Sequence, residues 1–442
     1  MTRLTRRSAL KGIAAGALSL KFAGTASADG RTQYIVTARG NRVTGSIEGA
    51  GFEIQNVLAD GDVMVVVGPE DSQDDLEAVR GVREVVENAF FSLDGPVFEE
   101  ELDTEEFEPP DFWENQWDKH VTDVEDAHDV ATGDGTRLAI LDTGIDPGHP
   151  DLAQNLNEDL SELFSSGNPI EDDDNPWDLH GHGTHVAGTA AATGDVGVIG
   201  TAPDAELVSL KVFWFEDPEG HEDEDEPFLT TTTADILAAI DAAAVIDADA
   251  ANMSLGTDPL PPEYNRFGIR VAYERVIQHA TRQGTVVVAS AGNSEANLQQ
   301  GGYFTTPNST AGALSVSATG PNDELVFYSN YGTNEIDVGA PGGGYETLEK
   351  TLEEDPDEVE WPYPSNLVLS TYPDDGYAWL AGTSMASPQV TGTVGLVREK
   401  APNANANQVE KAIKQGADLV TGQSDPDLGA GRLNAYGALD NA

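Results

Sequence analysis

The chain has 442 residues, 39% of them hydrophobic, which is enough apolar material for a substantial core and more than one domain and excludes a disordered chain. Against 78 Asp and Glu stand 23 Lys and Arg, a formal net charge of −55 that makes nucleic acid an unfavourable partner. There is no cysteine, so disulfides and thiolate metal sites are excluded.

The chain opens with Thr5-Arg6-Arg7-Ser8-Ala9-Leu10-Lys11, then the weakly apolar GIAAGALSLKFAGTASA ending in Ala26-Ser27-Ala28. A basic start, an apolar middle and a small-residue end predict a secretory signal over residues 1–28, cut near Ala28. The Arg6-Arg7 pair resembles a twin-arginine export signal, whose pathway carries folded proteins. Lys21 interrupts an apolar run already short of the ~20 residues of a spanning helix, so secretion without a stable membrane anchor is expected. Acid is spread along the chain, including Asp71–Asp75, Glu99–Glu108, Asp172–Asp174 and Glu222–Glu226. At 1 M salt the Debye length shrinks to roughly 3 Å and most surface repulsion vanishes, so this composition points to a salt-adapted protein.

Residues 31–95 read as a small α+β domain: strands QYIVTA, FEIQNVL and DVMVVVG, a helix in SQDDLEAVRG that Asp71 or Ser72 can cap, and a further strand region in VREVVENAFF. Residues 96–111, acidic and ending in Pro109-Pro110, read as a linker containing a processing region. From Phe112 to residue 442, strands alternate with helices, the pattern of a mostly parallel sheet flanked by helices in an α/β domain. Its predicted strands are RLAILDTG, AELVSLKVF, DAANMSLG, TVVVASAGN, ALSVSAT, IDVGAPG and NLVLSTYP. Helices are expected in HGTHVAGTAAA, in TTTADILAAIDAAAVI behind threonine caps, from about Phe267 to Gln283, and from Ser384 onward. Glu216–Pro227 and Tyr345–Pro364 read as acidic, solvated excursions, and no further domain is expected after GAGRLNAYGAL.

Three short segments, LAILDTGID, HGHGTHVAG and AGTSMASP, carry Asp142, His182 and Ser384. A serine hydroxyl is a weak nucleophile until an imidazole takes its proton and a buried carboxylate orients that imidazole. Asp, His, Ser is one of the chain orders in which this triad occurs. Ser384 at a helix start gains from the dipole and from free backbone N–H groups, although alone it could be a simple N-cap. His180, His182 and His185 also form an H-x-H-x-x-H pattern that could bind zinc in a metallohydrolase, although Thr184 stands where that family usually has an aspartate. An inactive binding protein of the same shape is a further alternative, but it need not keep all of Asp142, His182, Asn293 and Ser384.

DTGID followed by HPDL, HGTHVAG, MSLG at Met253–Gly256, SAGN at Ser290–Asn293 and GTSMASP together resemble the subtilisin-like serine proteases over about Phe112–Ala442, and among these the halolysins of halophilic archaea. YIVTARG and LEAVRGVREVVEN resemble the propeptide of that family, which aids folding and blocks the active site until it is removed. The resemblance implies a secreted serine endopeptidase acting on protein or peptide substrates, made as a self-processed precursor with its own propeptide as intramolecular inhibitor. It implies Asp142 as orienting acid, His182 as general base and then acid, Ser384 as nucleophile, and Asn293 as oxyanion donor beside the Ser384 N–H. Ser254, Leu255 and Gly256 on one side, with Ala291 and Gly292 on the other, match the segments flanking the primary specificity pocket. Ala381 and Gln389 depart from the family's frequent Asn and His. No cofactor is implied for the chemistry. Structural calcium is possible, although Thr193–Val198 is shorter than the loop supplying a strong calcium site in many relatives, where Asp151 matches another ligand; no metal residue is assigned.

Overall fold

The computed structural model describes residues 19–21, 30–92, 96–102, 112–167, 169–216, 228–262, 268–420 and 424–442. Most of the expected signal, residues 103–111 of the expected linker and nearly all of the first acidic excursion lie outside the described residues. None of the described helices is long and apolar enough to cross a membrane.

The N-terminal unit is an antiparallel sheet of β1 (Arg31–Ala38), β2 (Glu53–Leu58), β3 (Val63–Pro69) and β4 (Val82–Glu87), in the order β2-β3-β1-β4. Helices α1 (Thr44–Gly49) and α2 (Gln73–Glu77) join its strands. Ser72 is the residue before α2, yet its hydroxyl binds Pro69 O rather than capping the helix. Side chains alternate across a strand. Tyr34, Val36, Met64 and Val66 accordingly close a core under the unit's own helices, while Ile35, Val63 and Val65 point into the second domain.

VREVVENAFF divides into β4 and a separate strand, β5 (Phe90–Ser92). The stretch expected as linker also contributes a strand, β6 (Phe98–Glu101), with Val97 and Phe98 buried. Acidic composition concealed it, because the apolar anchor is confined to two residues.

The second domain is built on β7 (Arg137–Ile140), β8 (Glu206–Lys211), β11 (Ala250–Met253), β12 (Val286–Ser290), β13 (Ala313–Thr319) and β14 (Val338–Pro341), with β9 (Trp214–Glu216) and β10 (Phe228–Thr232) forming a separate ribbon with β5. With the short strand Glu162–Leu163, the main sheet is seven-stranded and parallel, ordered β14-β13-β12-β11-β7-β8 and then Glu162–Leu163. On one face Leu138, Ile140, Val286 and Val288 pack against α3 (His182–Ala191) and α6 (Thr383–Lys400). On the other, Ala139, Leu141, Val287 and Ala289 meet α4 (Thr233–Val245) and α5 (Ile269–Gln283). Both faces are therefore dry, which is why these strands read as continuous apolar runs.

Thr232 caps α4 by accepting from the Asp235 N–H. The hairpin of β15 (Val368–Tyr372) and β16 (Gly376–Ala381) leads into α6, and α7 (Ala406–Gly416) and α8 (Ala435–Asp440) finish the domain. The acidic stretch Tyr345–Pro364 is more than a solvated loop: Tyr345, Thr351 and Val359 are buried, and the Tyr345 hydroxyl donates to Trp361 O at 3.1 Å.

Candidate active site

In a parallel sheet the strand ends that face one edge bring distant sequence together. Ile140 of β7 pairs with Asn252 of β11, and Leu141 N donates to Asn252 O at 2.9 Å. Two residues further on, Asp142 and Ser254 leave these neighbouring strands. Asp142 is fully buried, and its Oδ1 lies 2.7 Å from His182 Nδ1 and accepts from Thr143 N at 2.8 Å. Burial works against protonation of His182, but the charge and hydrogen bond of Asp142, assisted by Asp178 and Glu99, outweigh it and raise the pKa above the ordinary histidine value. A neutral ring that donates from Nδ1 to the carboxylate keeps its Nε2 lone pair available as a base.

A residue that sequence reasoning missed fixes the backbone on either side of His182. Asp178, buried, accepts from the backbone of His180 at 2.8 Å, Gly181 at 2.9 Å and Thr184 at 2.9 Å, and from the hydroxyls of Thr143 at 3.0 Å and Thr184 at 2.7 Å. Burial alone would push its carboxyl up, yet these donors keep it below the usual range. The signal was visible as an aspartate four residues before His182, at a helix N-terminus where a carboxylate is favoured.

Ser384 sits in the first turn of α6, where N–H groups lack intrahelical acceptors. Its hydroxyl donates to Ser254 O at 3.2 Å, and the Ser254 hydroxyl donates back to Ser384 O at 2.7 Å. Ser384 is thus joined to the strand end beside Asp142, with its hydroxyl bonded to the Ser254 carbonyl rather than to the imidazole. Asn293 Oδ1 accepts from Thr383 N at 2.9 Å and from the Thr383 hydroxyl at 2.7 Å. With its oxygen fixed, the amide presents Nδ2 outward: a side chain on Gly382 would begin 3.4 Å from Asn293 Nδ2 and 3.6 Å from Ser384 N. Glycine therefore leaves a small space lined by two donors, suited to a developing oxyanion. Thr383 is the second positioning residue that the motif reading passed over.

Ser254–Gly256 and Ala291–Gly292 leave adjacent strands β11 and β12, so the structure brings together the two expected walls of the specificity pocket. Gly292, at φ 97°, packs so closely on Asn330 that a side chain would begin 2.6 Å from its amide nitrogen. Asn330 in turn donates to Ala291 O at 2.9 Å and accepts from Ser294 N and Ala296 N, fixing that wall. Gln389, in the place of the family's frequent histidine, donates to Pro341 O at 2.9 Å.

The zinc alternative fails on geometry. His182 Nδ1 is committed to Asp142, and His185 Nε2 lies 3.1 Å from both Val368 O and Ala378 O. Burial holds the His185 pKa down at about 3, so that ring is a neutral structural donor. Among the described residues no group of three His, Cys, Asp or Glu could hold a metal ion. Asp151 also has a donor set unlike that of a calcium ligand: its carboxylate accepts from Val196 N at 2.8 Å, Gly197 N at 2.9 Å, Val198 N at 3.2 Å and the Tyr377 hydroxyl at 2.8 Å. Three of the four donors crowd Oδ2 and one meets Oδ1, so this carboxylate is held by hydrogen bonds from the loop and does not fit a calcium ligand without the loop opening.

Comparison with known proteins gives this geometry its context. Thermitase of Thermoactinomyces vulgaris is 32% identical over 335 residues, covering 75% of this chain and 98% of the relative. Subtilisin Savinase of Lederbergia lenta is 34% identical over 308 residues, 70% of this chain and 91% of the relative. Among solved structures, the epidermin leader peptide processing serine protease of Staphylococcus aureus superposes with a TM-score of 0.71 at 22% identity, covering 93% of this chain and 98% of that one, a likeness of fold. A protease of Pseudoalteromonas arctica superposes with a TM-score of 0.59 at 28% identity, covering 74% and 97%. Since the profile described as the Subtilase family also matches residues 133–438, the chain belongs to the subtilase family and is a subtilisin-like serine endopeptidase.

Proposed function

We propose that Ser384, His182 and Asp142 form the catalytic triad of a secreted, salt-adapted endopeptidase of halolysin type that processes its own precursor. The observation that carries the assignment of residues is the 2.7 Å bond between His182 Nδ1 and the buried Asp142. It leaves the opposite ring nitrogen as the base for the serine that is tied to the neighbouring strand end. In the reaction Ser384 Oγ adds to the substrate carbonyl while His182 takes its proton, and the oxyanion is held by Asn293 Nδ2 and Ser384 N. His182 returns the proton to the departing amine, and water then opens the acyl-enzyme by the same base. Ser254–Gly256 and Ala291–Gly292 flank the side chain preceding the cut bond.

Self-processing is supported by the N-terminal unit lying on α4 and α5: Arg275 donates to Ala38 O and Asp62 O, and Ala59 N donates to Asp241. Salt adaptation rests on the charge of −55, and export on residues 1–28. Labelling in concentrated salt with a serine-directed phosphonylating reagent, followed by peptide mapping, is expected to modify Ser384 and stop peptide hydrolysis. Unlabelled, active enzyme that chelators inhibit would overturn the assignment. Full activity and stability at low ionic strength would remove the basis for salt adaptation.

A further inference from the structure

The strand formed by the expected linker lies beside the nucleophile. β6 pairs antiparallel with β16, the strand that ends at Ala381 just before Gly382-Thr383-Ser384, with Phe98 opposite Ala381 and Glu101 opposite Ala378. Backbone bonds from Val97 N to Ala381 O and from Leu102 N to Tyr377 O, both 2.9 Å, extend the ladder at each end. Three side chains anchor it. The Phe98 ring packs edge-on against Phe327 and Tyr363, with centroids 6.3 and 6.1 Å away. The Tyr363 hydroxyl donates to Glu100 at 2.7 Å, and the Tyr372 hydroxyl donates to Glu99 at 2.5 Å while lying 3.4 Å from His180 O.

Strand direction identifies what β6 represents. In a peptide bound for cleavage, the acyl half approaches the serine with its C-terminal end, and the leaving half starts at the serine and runs away from it. The N-terminal end of β6 is the end nearer Ser384, and the chain recedes from there toward Leu102. β6 also lies on the imidazole side, since the Tyr372 hydroxyl joins Glu99 to the carbonyl of His180, two residues before His182, and the imidazole is the group that protonates a leaving amine.

We infer that Val97–Leu102 is the leaving-group strand of the chain's own processing reaction, held on the free edge of β16 by an aromatic pocket at Phe98 and tyrosine hydroxyls that bind the Glu99 and Glu100 carboxylates. The inference rests on the self-processing reading. Ser384 Oγ attacks a carbonyl N-terminal to Val97, the C–N bond breaks, the amine that heads the β6 segment receives the proton from His182, and water hydrolyses the acyl-enzyme. Because β6 stays covalently attached to the catalytic domain, it remains docked after the cut and competes with the leaving half of any other substrate. Leaving-side peptides with an aromatic residue followed by acidic ones are the class this edge accepts.

The test uses the full-length precursor, purified with its activity suppressed and then released, with samples quenched from the earliest times for intact mass and N-terminal sequencing. The first new N-terminus is expected after Ser92 and no later than Val97, and Phe98→Ser is expected to slow that first cut at least tenfold or to shift it. A first N-terminus outside residues 93–97, or a Phe98→Ser precursor cut at the same bond at the wild-type rate, overturns the inference. The wild-type mapping stands even if Phe98→Ser does not fold. A Ser384→Ala precursor run in parallel separates the two ideas: if it is cut at the same bond as fast as wild type, self-processing fails irrespective of what β6 binds.

Discussion

Two helices in this molecule carry a residue of the proposed triad in their first turn, and their N-termini are treated in opposite ways. The start of α3, at His182, is closed by side chains: the buried Asp178 carboxylate accepts from Thr184 N and from His180 N and Gly181 N just before the helix, and the Thr143 hydroxyl accepts from Gly183 N. At α6, which carries Ser384 in its first turn, no carboxylate is placed among the described residues: a side chain at Gly382 would instead lie 3.4 Å from the Asn293 amide nitrogen and 3.6 Å from Ser384 N. A helix end is an anion site in either case. Filled by a fixed carboxylate, it orients a base; left open beside a nucleophile, it receives the negative charge that appears only during reaction.

Removing the nucleophile tests the open end most severely. Ser384→Ala is expected to lower kcat on the order of 10⁶-fold, the loss known for triad residues in subtilisin itself, with folding unchanged in thermal melts. Activity within tenfold of wild type would place the chemistry elsewhere. Asn293→Ala is expected to lower kcat about 10²–10³-fold, again the size known for an oxyanion donor in subtilisin, with KM little altered. A larger change in KM than in kcat would show that the amide binds substrate rather than the transition state.

The closed end is sharpened by Asp178→Asn. An amide nitrogen would face donors that now meet a carboxylate, and leaving buried N–H groups unpaired costs about 1–3 kcal/mol each, so a lower denaturation midpoint is expected. Asp178 also helps to raise the His182 pKa, so the variant carries a second signature. His182 must be neutral to act as a base, and kcat/KM is therefore expected to fall on acidification through a midpoint above the ordinary value of about 6.5. Asp178→Asn shifts that midpoint downward, which loss of stability alone would not do. The linked stability has the opposite sign: what protonated His182 contributes is complete below its unfolded pKa and is lost as pH rises through the higher folded value. An acid limb at or below the ordinary histidine range in the wild type would contradict the Asp142–His182 coupling.

The three chemical segments were legible because each sits where the backbone itself is distinctive: Asp142 after an apolar strand, His182 between glycines, Ser384 after Gly382-Thr383. The main sheet was legible for a related reason, since strands buried on both faces leave uninterrupted apolar runs. Asp178 and Thr383 were not, because their worth lies in bonds to backbone groups that only the fold assembles. β6 was hidden further still: of Phe98-Glu99-Glu100-Glu101 only one residue is apolar, and two of the three acids, Glu99 and Glu100, are met by tyrosines that follow more than 250 positions later. Tyr345–Pro364 misled in the same way, its aromatic anchors being outnumbered by acids.

The smallest expected effect concerns the loop Thr193–Val198, which follows the C-terminal end of α3. Its N–H groups close on Asp151 together with the Tyr377 hydroxyl, whose own ionisation is pushed up by burial and by its bond to that carboxylate. Tyr377→Phe deletes one of four donors and keeps the ring against Phe112 and His149, so a loss of about 1 kcal/mol is expected. Because the remaining three donors are backbone groups, the loss should be the same with added calcium and with chelator present. If calcium instead raised the wild-type melting temperature and Asp151→Asn abolished that rise, the carboxylate would be a metal ligand after all, and the loop would have to open to admit the ion.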